Sequence, residues 1–317
     1  MATPTNAFKT YDAIGNREDL EDVIYDITPT ETPFVSAVSK MKASAVNHEW
    51  QTDALASPDS ANAVLEGDDA STDASTATTR LGNICQISDK VARVTGTQQA
   101  VDKAGRANEL TYQMVKRGRE LKRDMETILV GTNQAKVTGS AGIARKTASV
   151  LSWIKTNNSS GAGGGAAPVT ADGAATRTDG TQRAFTEALL KPVLKSIWEA
   201  GGDPSMIMVG GFNKQAFSTF TGRSTPQEMS KDKKIVNAVD FYESDFGKQK
   251  IVPNRFMRAR DAIVFDMEYW GLAYLRNMNT VELAKTGDSE RKQIICEYCL
   301  VSKNEAASGI VADLTTS

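Results

Sequence analysis

One stretch, residues 102 to 131, restricts what this chain can fold into more than any other. Ala104, Ala107, Leu110, Met114, Gly118, Leu121, Met125 and Ile128 step by three or four, tracing one stripe of a helix that Val115 and Leu129 widen. Asp102 is the expected N-cap and Gly131 the expected stop. A helix of about 28 residues extends ~42 Å, more than twice the mean globular length. Its outer face is basic. Eight Lys and Arg (Lys103, Arg106, Lys116, Arg117, Arg119, Lys122, Arg123 and Lys136) stand against Glu109, Glu120, Asp124 and Glu126, a local +4. Lys116–Glu120 and Lys122–Glu126 have the i,i+4 spacing of ion pairs. The face therefore reads either as a salt-bridged surface or as one that meets nucleic-acid phosphates without sequence readout.

Around this helix the 317 residues suffice for one large domain or two smaller ones. Residues 1–45 read as an extended arm with a short helical piece at 16–24. Pro29 and Pro33 disfavour helix just after it, and Phe34, Val35, Val38 and Met41 recur at the spacing of a short amphipathic helix. Residues 46–53 and 83–94 have strand character. The polar loop between them carries Asp59, Glu66, Asp68, Asp69 and Asp73, with no Lys or Arg from 59 to 79, and has too little apolar content to fold alone. Gly161–Gly165 reads as a flexible surface insertion. A second helix is expected at 186–200, capped by Thr186 and closed by Gly201 and Gly202, with Leu190, Leu194 and Trp198 on one face and Pro192 bending its first turn. Met206–Val209 is a short strand, and a third helix starts at Asn213. Strands follow at 235–243, 249–252, 261–265, 271–276, 280–285 and 292–303, which makes the whole α+β.

Composition narrows the function classes. No run approaches the ~20 apolar residues of a membrane span, and Met1–Asn6 lacks the basic start and apolar run of a secretory signal, so folding in cytoplasm is expected. A formal charge of −2 lacks the basic excess of a dedicated nucleic-acid binder. Cys85, Cys296 and Cys299 are an odd number, best read as free thiols. Cys296 and Cys299 lie three apart in a strand pattern, on opposite faces, and form no metal pair. The single histidine, His48, has no serine or cysteine nucleophile motif near it. Gly161–Gly165 is followed by Ala166, Ala167 and Pro168 rather than by a helix that could face a phosphate. The acidic loop lacks the spacing of a calcium loop. No catalytic, cofactor-binding or metal-binding set is therefore assigned, and the reading is of a structural protein rather than an enzyme.

Four stretches carry a family resemblance: Ile27–Phe34 (ITPTETPF), His48–Asp53 (HEWQTD), Lys122–Glu126 (KRDME) and Tyr242–Gly247 (YESDFG). With the order arm, long loop between strands, long helix and α+β remainder, the chain resembles, over nearly its whole length, the Hong Kong 97-type major capsid proteins of tailed bacteriophages. The resemblance implies the Hong Kong 97-like fold: an N-arm at 1–45, an E-loop hairpin at 46–100, and a peripheral domain at 101–183 containing the spine helix. An axial domain at about 184–275 and a return to the peripheral domain at 276–317 complete it. It implies a subunit that joins itself in hexamers and pentamers of an icosahedral virion shell around non-specifically held double-stranded DNA, assembled in host cytoplasm. A separate scaffolding protein and a portal protein are the expected partners. No cofactor or membrane is implied, and no covalent Lys–Asn crosslink can be placed. An encapsulin-like compartment enclosing enzymes is the alternative with the same fold.

In that fold the long loop crosses the adjacent subunit. The expected contacts between subunits are therefore Asp59, Glu66, Asp68, Asp69 and Asp73 with Lys116, Arg117, Arg119, Lys122 and Arg123. Exposed ion pairs contribute only ~0–1 kcal/mol each, so they would set register while strand pairing and apolar burial supply cohesion. A basic helix facing packaged DNA is the competing arrangement.

Overall fold

A computed structural model of the chain describes residues 31–69, 75–102, 108–220 and 240–316. The expected helical piece at 16–24, the start of the strand at 235–243 and Asp73 lie outside them. The helices are α1 (Pro33–Ala37), α2 (Gly96–Ala100), α3 (Glu109–Glu126), α4 (Glu187–Glu199) and α5 (Gly211–Ser218). The first strands are β1 (Ser39–Lys42), β2 (Asn47–Thr52), β3 (Thr79–Ile84), β4 (Gln86–Thr95), β5 (Asn157–Ser159) and β6 (Met206–Val209). They are followed by β7 (Phe241–Ser244), β8 (Gly247–Pro253), β9 (Ala262–Phe265), β10 (Trp270–Glu282), β11 (Ser289–Ser302) and β12 (Gly309–Val311).

The long helix packs on a four-stranded sheet ordered β1-β10-β11-β4, touching β4 and β11. Leu110, Leu121, Met125 and Leu129 are buried as the stripe requires, whereas Val115 is exposed. The helix starts later than its periodicity suggests. Asn108, not Asp102, is the N-cap, its side chain accepting from Thr111 N at 3.0 Å. Asp102 instead follows the short α2, which Thr95 caps. At the other end the coil widens into a π turn over Thr127–Gly131 before stopping.

Two strand expectations merge or split. The predicted 271–276 and 280–285 are one strand, β10, interrupted by register shifts between Tyr274 and Asn279. The predicted 83–94 is two strands in two sheets, separated by Cys85: β3 pairs antiparallel with β2, and β4 pairs with β11. Pro33 opens α1 at its first position, where a missing N–H costs nothing. That helix ends at Ala37, so Met41 lies on β1 rather than on a helical stripe.

A six-stranded sheet ordered β5-β12-β9-β6-β8-β7 forms the second body, packed with α4 and α5. Its strands come from both sides of residue 275: β12 lies beside β9, and β10 already belongs to the other sheet. On α4 the buried face is Leu190, Val193, Leu194 and Ile197. Trp198 is 58% exposed and stacks on Phe246 at 5.4 Å between ring centroids, because Ile197 takes the inward position. Pro192 is the sixth residue of α4, past the first turn, and its carbonyl accepts from Ser196 Oγ at 2.9 Å.

The glycine run is not a loose linker. Gly161 N donates to Asp313 Oδ2 and Gly180 N to Asp313 Oδ1, both at 2.9 Å. A Cβ on Gly161 would stand 2.3 Å from Thr181 O, and one on Gly165 2.6 Å from Gly161 O, so these two positions are glycine because backbones meet there.

Candidate assembly surfaces

Two of the family-like stretches meet in the interior. The Glu126 carboxylate accepts from Phe34 N and Val35 N, each at 2.8 Å, and from Asn254 Nδ2 at 2.6 Å. Those amides are free donors of the first turn of α1, so a residue 91 positions away caps that helix. Burial raises the Glu126 carboxyl above its ordinary range, and the bonds from Val35, Phe34 and Asn254 oppose that. Because Glu126 is used here, no Lys122–Glu126 surface pair exists. Glu120 is held by Arg117 at 2.6 Å rather than by Lys116. Phe34, sealed by this lock, packs on Phe265 and Trp270 with centroids 5.2 and 6.5 Å away.

The β2–β3 hairpin is bound tightly at its base. Trp50 Nε1 donates to Ser302 O at 3.0 Å, and its ring lies 5.6 Å from Trp153. Asn83, fully buried, donates through Nδ2 to Leu300 O at 2.7 Å and Thr147 Oγ1 at 3.0 Å, and its Oδ1 accepts from Ala148 N. Lys136 Nζ donates to Gly82 O at 2.9 Å. His48 sits on β2, 6.0 Å from Trp50 between ring centroids, and partial burial lowers its pKa.

Beyond the base the hairpin changes character. Residues 53–69 and 75–78 are exposed throughout, including Leu55 at 99%, Val64 at 84% and Leu65 at 79%. Over 53–69 their hydrogen bonds are local, among them Ala54 N to Asp53, Ala61 N to Asp59, Asp69 N to Asp68, and Asp68 N to Leu65 O at 3.2 Å, while Thr78 Oγ1 donates across the hairpin to Gln51 Oε1 at 3.1 Å. Among the described residues no ion pair joins Asp59, Glu66, Asp68 or Asp69 to Lys116, Arg117, Lys122 or Arg123. Within one chain these four acids and these four basic residues are therefore not paired with each other.

The basic residues of α3 are also not equivalent. Arg117 is committed to Glu120, and Arg123 lies 5.2 Å over the Phe256 ring. Lys116 and Arg119 are exposed. Lys122 lines a groove with Lys40, Met41, Lys42, Tyr274 and Met278. Sequence reasoning missed Lys40 and Lys42, whose alternation with Met41 is a strand signal.

Buried charge elsewhere is structural. Glu297 is held by Arg145 at 2.5 Å and Arg276 at 2.8 Å. Asp313, at φ 60°, takes Arg260 at 2.8 Å as well as the two glycine amides. Asp261 is fully buried beside Arg258 at 3.4 Å; burial pushes its carboxyl up to about 6, with Arg258 and Arg177 opposing. The three cysteines are buried free thiols, and burial pushes Cys296 up to about 12. Cys296 lies in the main core and Cys299 in a separate cluster with Cys85, on opposite faces of β11 as expected. Among the described residues no helix is long and apolar enough to cross a membrane, and no three His, Cys, Asp or Glu converge as metal ligands.

A long helix laid on a sheet, a second sheet body with its own helices, and a hairpin whose described residues beyond the base are exposed define the Hong Kong 97-like fold of phage capsid subunits. Solved structures bear this out at the level of fold. The cyanophage A-1(L) capsid subunit superposes with a TM-score of 0.64 at 11% identity, covering 98% of this chain and 99% of that one. The SrpI encapsulin of Synechococcus elongatus superposes at 0.58 and 10% identity, covering 95% and 93%. In sequence, the major capsid protein of Escherichia phage Phieco32 is 30% identical, with 98% of this chain and 97% of that protein aligned. Residues 3–315 match the SU10 major capsid protein family, and the chain belongs to it. It is a phage major capsid protein.

Proposed function

We propose that copies of this chain join as hexamers and pentamers into a closed icosahedral head, each lending its hairpin loop to a neighbour. The observation that carries this reading is the contrast within the hairpin: a base fixed by Trp50 and Asn83, and a loop exposed over 53–69 and 75–78 with five carboxylates and three bare aliphatic side chains. Loops that bury nothing at home gain their apolar and electrostatic stabilisation elsewhere. In this reading residues 1–45 are the N-arm and 46–100 the E-loop, with β1 of the arm and β4 after the hairpin built into the α3 sheet, and that sheet body is the peripheral domain. The six-stranded body is most of the axial domain.

The head would lie in the virion, enclose double-stranded DNA held without sequence readout, be shaped by a separate scaffolding protein and carry a portal. A phage head is favoured over an enzyme-enclosing compartment because the likeness to the encapsulin is one of fold, whereas the phage relative is alike in sequence over nearly the full length. Electron microscopy of the protein produced with its scaffold should show closed shells; a monodisperse monomer at high concentration would sink the reading. Reversing Asp68 and Asp69 to Lys should impair assembly in a salt-dependent way and leave the subunit folded. Neutralising Arg117 and Arg119 and measuring genome retention tests whether α3 faces DNA.

A further inference from the structure

The groove beside β1 has a composition that matches one segment of the exposed loop. It holds about 690 Å³ between Lys40, Met41 and Lys42 of β1, Lys122 of α3, and Tyr274, Leu275, Asn277 and Met278 of β10. Tyr274 and Met278 are its apolar lining on the face that packs against the main core, Met41 reaches it from the other face of the sheet with Ala273, and Lys40, Lys42 and Lys122 complete the lining. On the loop, Leu65 to Asp68 form a turn closed by Asp68 N to Leu65 O at 3.2 Å, with Gly67 at φ +85° as the third residue. A side chain at that φ is strained, so glycine sets the shape. The turn displays Val64 and Leu65 next to Glu66, Asp68 and Asp69.

Building on the shell reading above, we propose that Val64–Asp69 of one subunit seats in this groove of a second copy. Val64 and Leu65 cover Tyr274 and Met278, and the Glu66, Asp68 and Asp69 carboxylates face Lys40, Lys42 and Lys122. Two apolar side chains meet an apolar floor, and three negative charges meet three positive ones. The receptor for the loop is thus the β1 edge with one lysine of α3, not the whole basic face of α3. Arg117 and Arg123 on that face already have partners within the chain. The preformed turn reduces the ordering entropy that docking would otherwise cost.

The test uses assembled particles of the full chain. Leu65→Cys with Met278→Cys, oxidised in particles, should give a ladder of covalent multimers on a denaturing gel, and neither single variant should. Carbodiimide treatment of unmodified particles should join Glu66, Asp68 or Asp69 to Lys40, Lys42 or Lys122 in peptide mass spectra. Asp68→Lys with Asp69→Lys, and separately Lys40→Glu with Lys42→Glu, should each lower particle yield about tenfold. Combining all four should restore most of it, with thermal melts of the subunits unchanged. Closed particles that link the loop to Lys116, or that link residues 18–26 to the groove lysines, overturn the groove assignment and leave the shell reading standing. Absence of closed particles from the unmodified chain overturns the shell reading, and this proposal with it.

Discussion

The interior and the hairpin loop treat polar groups in opposite ways. Glu126 accepts three hydrogen bonds and Asn83 is bonded on both sides of its amide, each joining segments far apart in sequence. In the loop, Asp59 and Asp68 bond only the backbone one or two residues on, while Leu55, Val64 and Leu65 face solvent. Buried polar groups that are fully satisfied fix one arrangement of the chain. Exposed ones with only local bonds leave their surface available for another molecule. The difference separates the part of the sequence that specifies a subunit from the part that specifies an assembly.

Perturbing the two regions should therefore move different observables. The largest loss of subunit stability is expected for Glu126→Ala, which strands two helix amides and Asn254: more than about 3 kcal/mol in urea unfolding of unassembled protein. A loss under about 1 kcal/mol would mean that α1 does not depend on its distant cap. Asp261 supplies a pH signature. Its folded-state carboxyl sits at about 6, above its ordinary 3.8, so the folded state binds the proton more tightly. Its contribution is greatest near pH 4 and falls as pH rises to about 6, by up to about 3 kcal/mol. Asp261→Asn should remove that fall, and equal pH profiles for the two proteins would contradict the assignment. Asn83→Ala at the hairpin base should cost about 2 kcal/mol by leaving Leu300 O and Ala148 N unpaired, read as a shift in the urea midpoint. The smallest change in subunit stability, under about 0.5 kcal/mol, is expected for Asp68→Lys with Asp69→Lys, where assembly yield responds instead. A marked loss of subunit stability from that pair would erase the distinction between the regions.

Local periodicity made the α+β class, the long helix and the hairpin legible before any coordinates. Leu110, Leu121 and Met125 recur as a helix stripe, and His48–Asp53 alternates as a strand. What stayed hidden depends on partners distant in sequence. Glu126 looks like the end of a surface ion pair until Phe34 and Val35 are placed against it. Trp198 fits the apolar spacing of α4, but Ile197 fills the inward position. Gly161 reads as flexible because composition cannot reveal that Asp313 and Thr181 close on it. The acidic loop and the basic helix were both legible as charge patterns. Lys40 and Lys42 were not, since β1 becomes a groove wall only once it lies alongside β10.

The single residue between β3 and β4 has a mechanical consequence. On its β3 side, a pull on the hairpin passes through Cys85 into β4, which is paired with β11 from Gln86↔Tyr298 to Thr95↔Ser289. Traction on that side of the outer appendage would thus be resisted by the whole β4–β11 ladder at the edge of the neighbouring sheet, with no slack tether in between. Strain from an expanding or pressurised container would spread through the rigid bodies of its subunits instead of collecting at a weak joint.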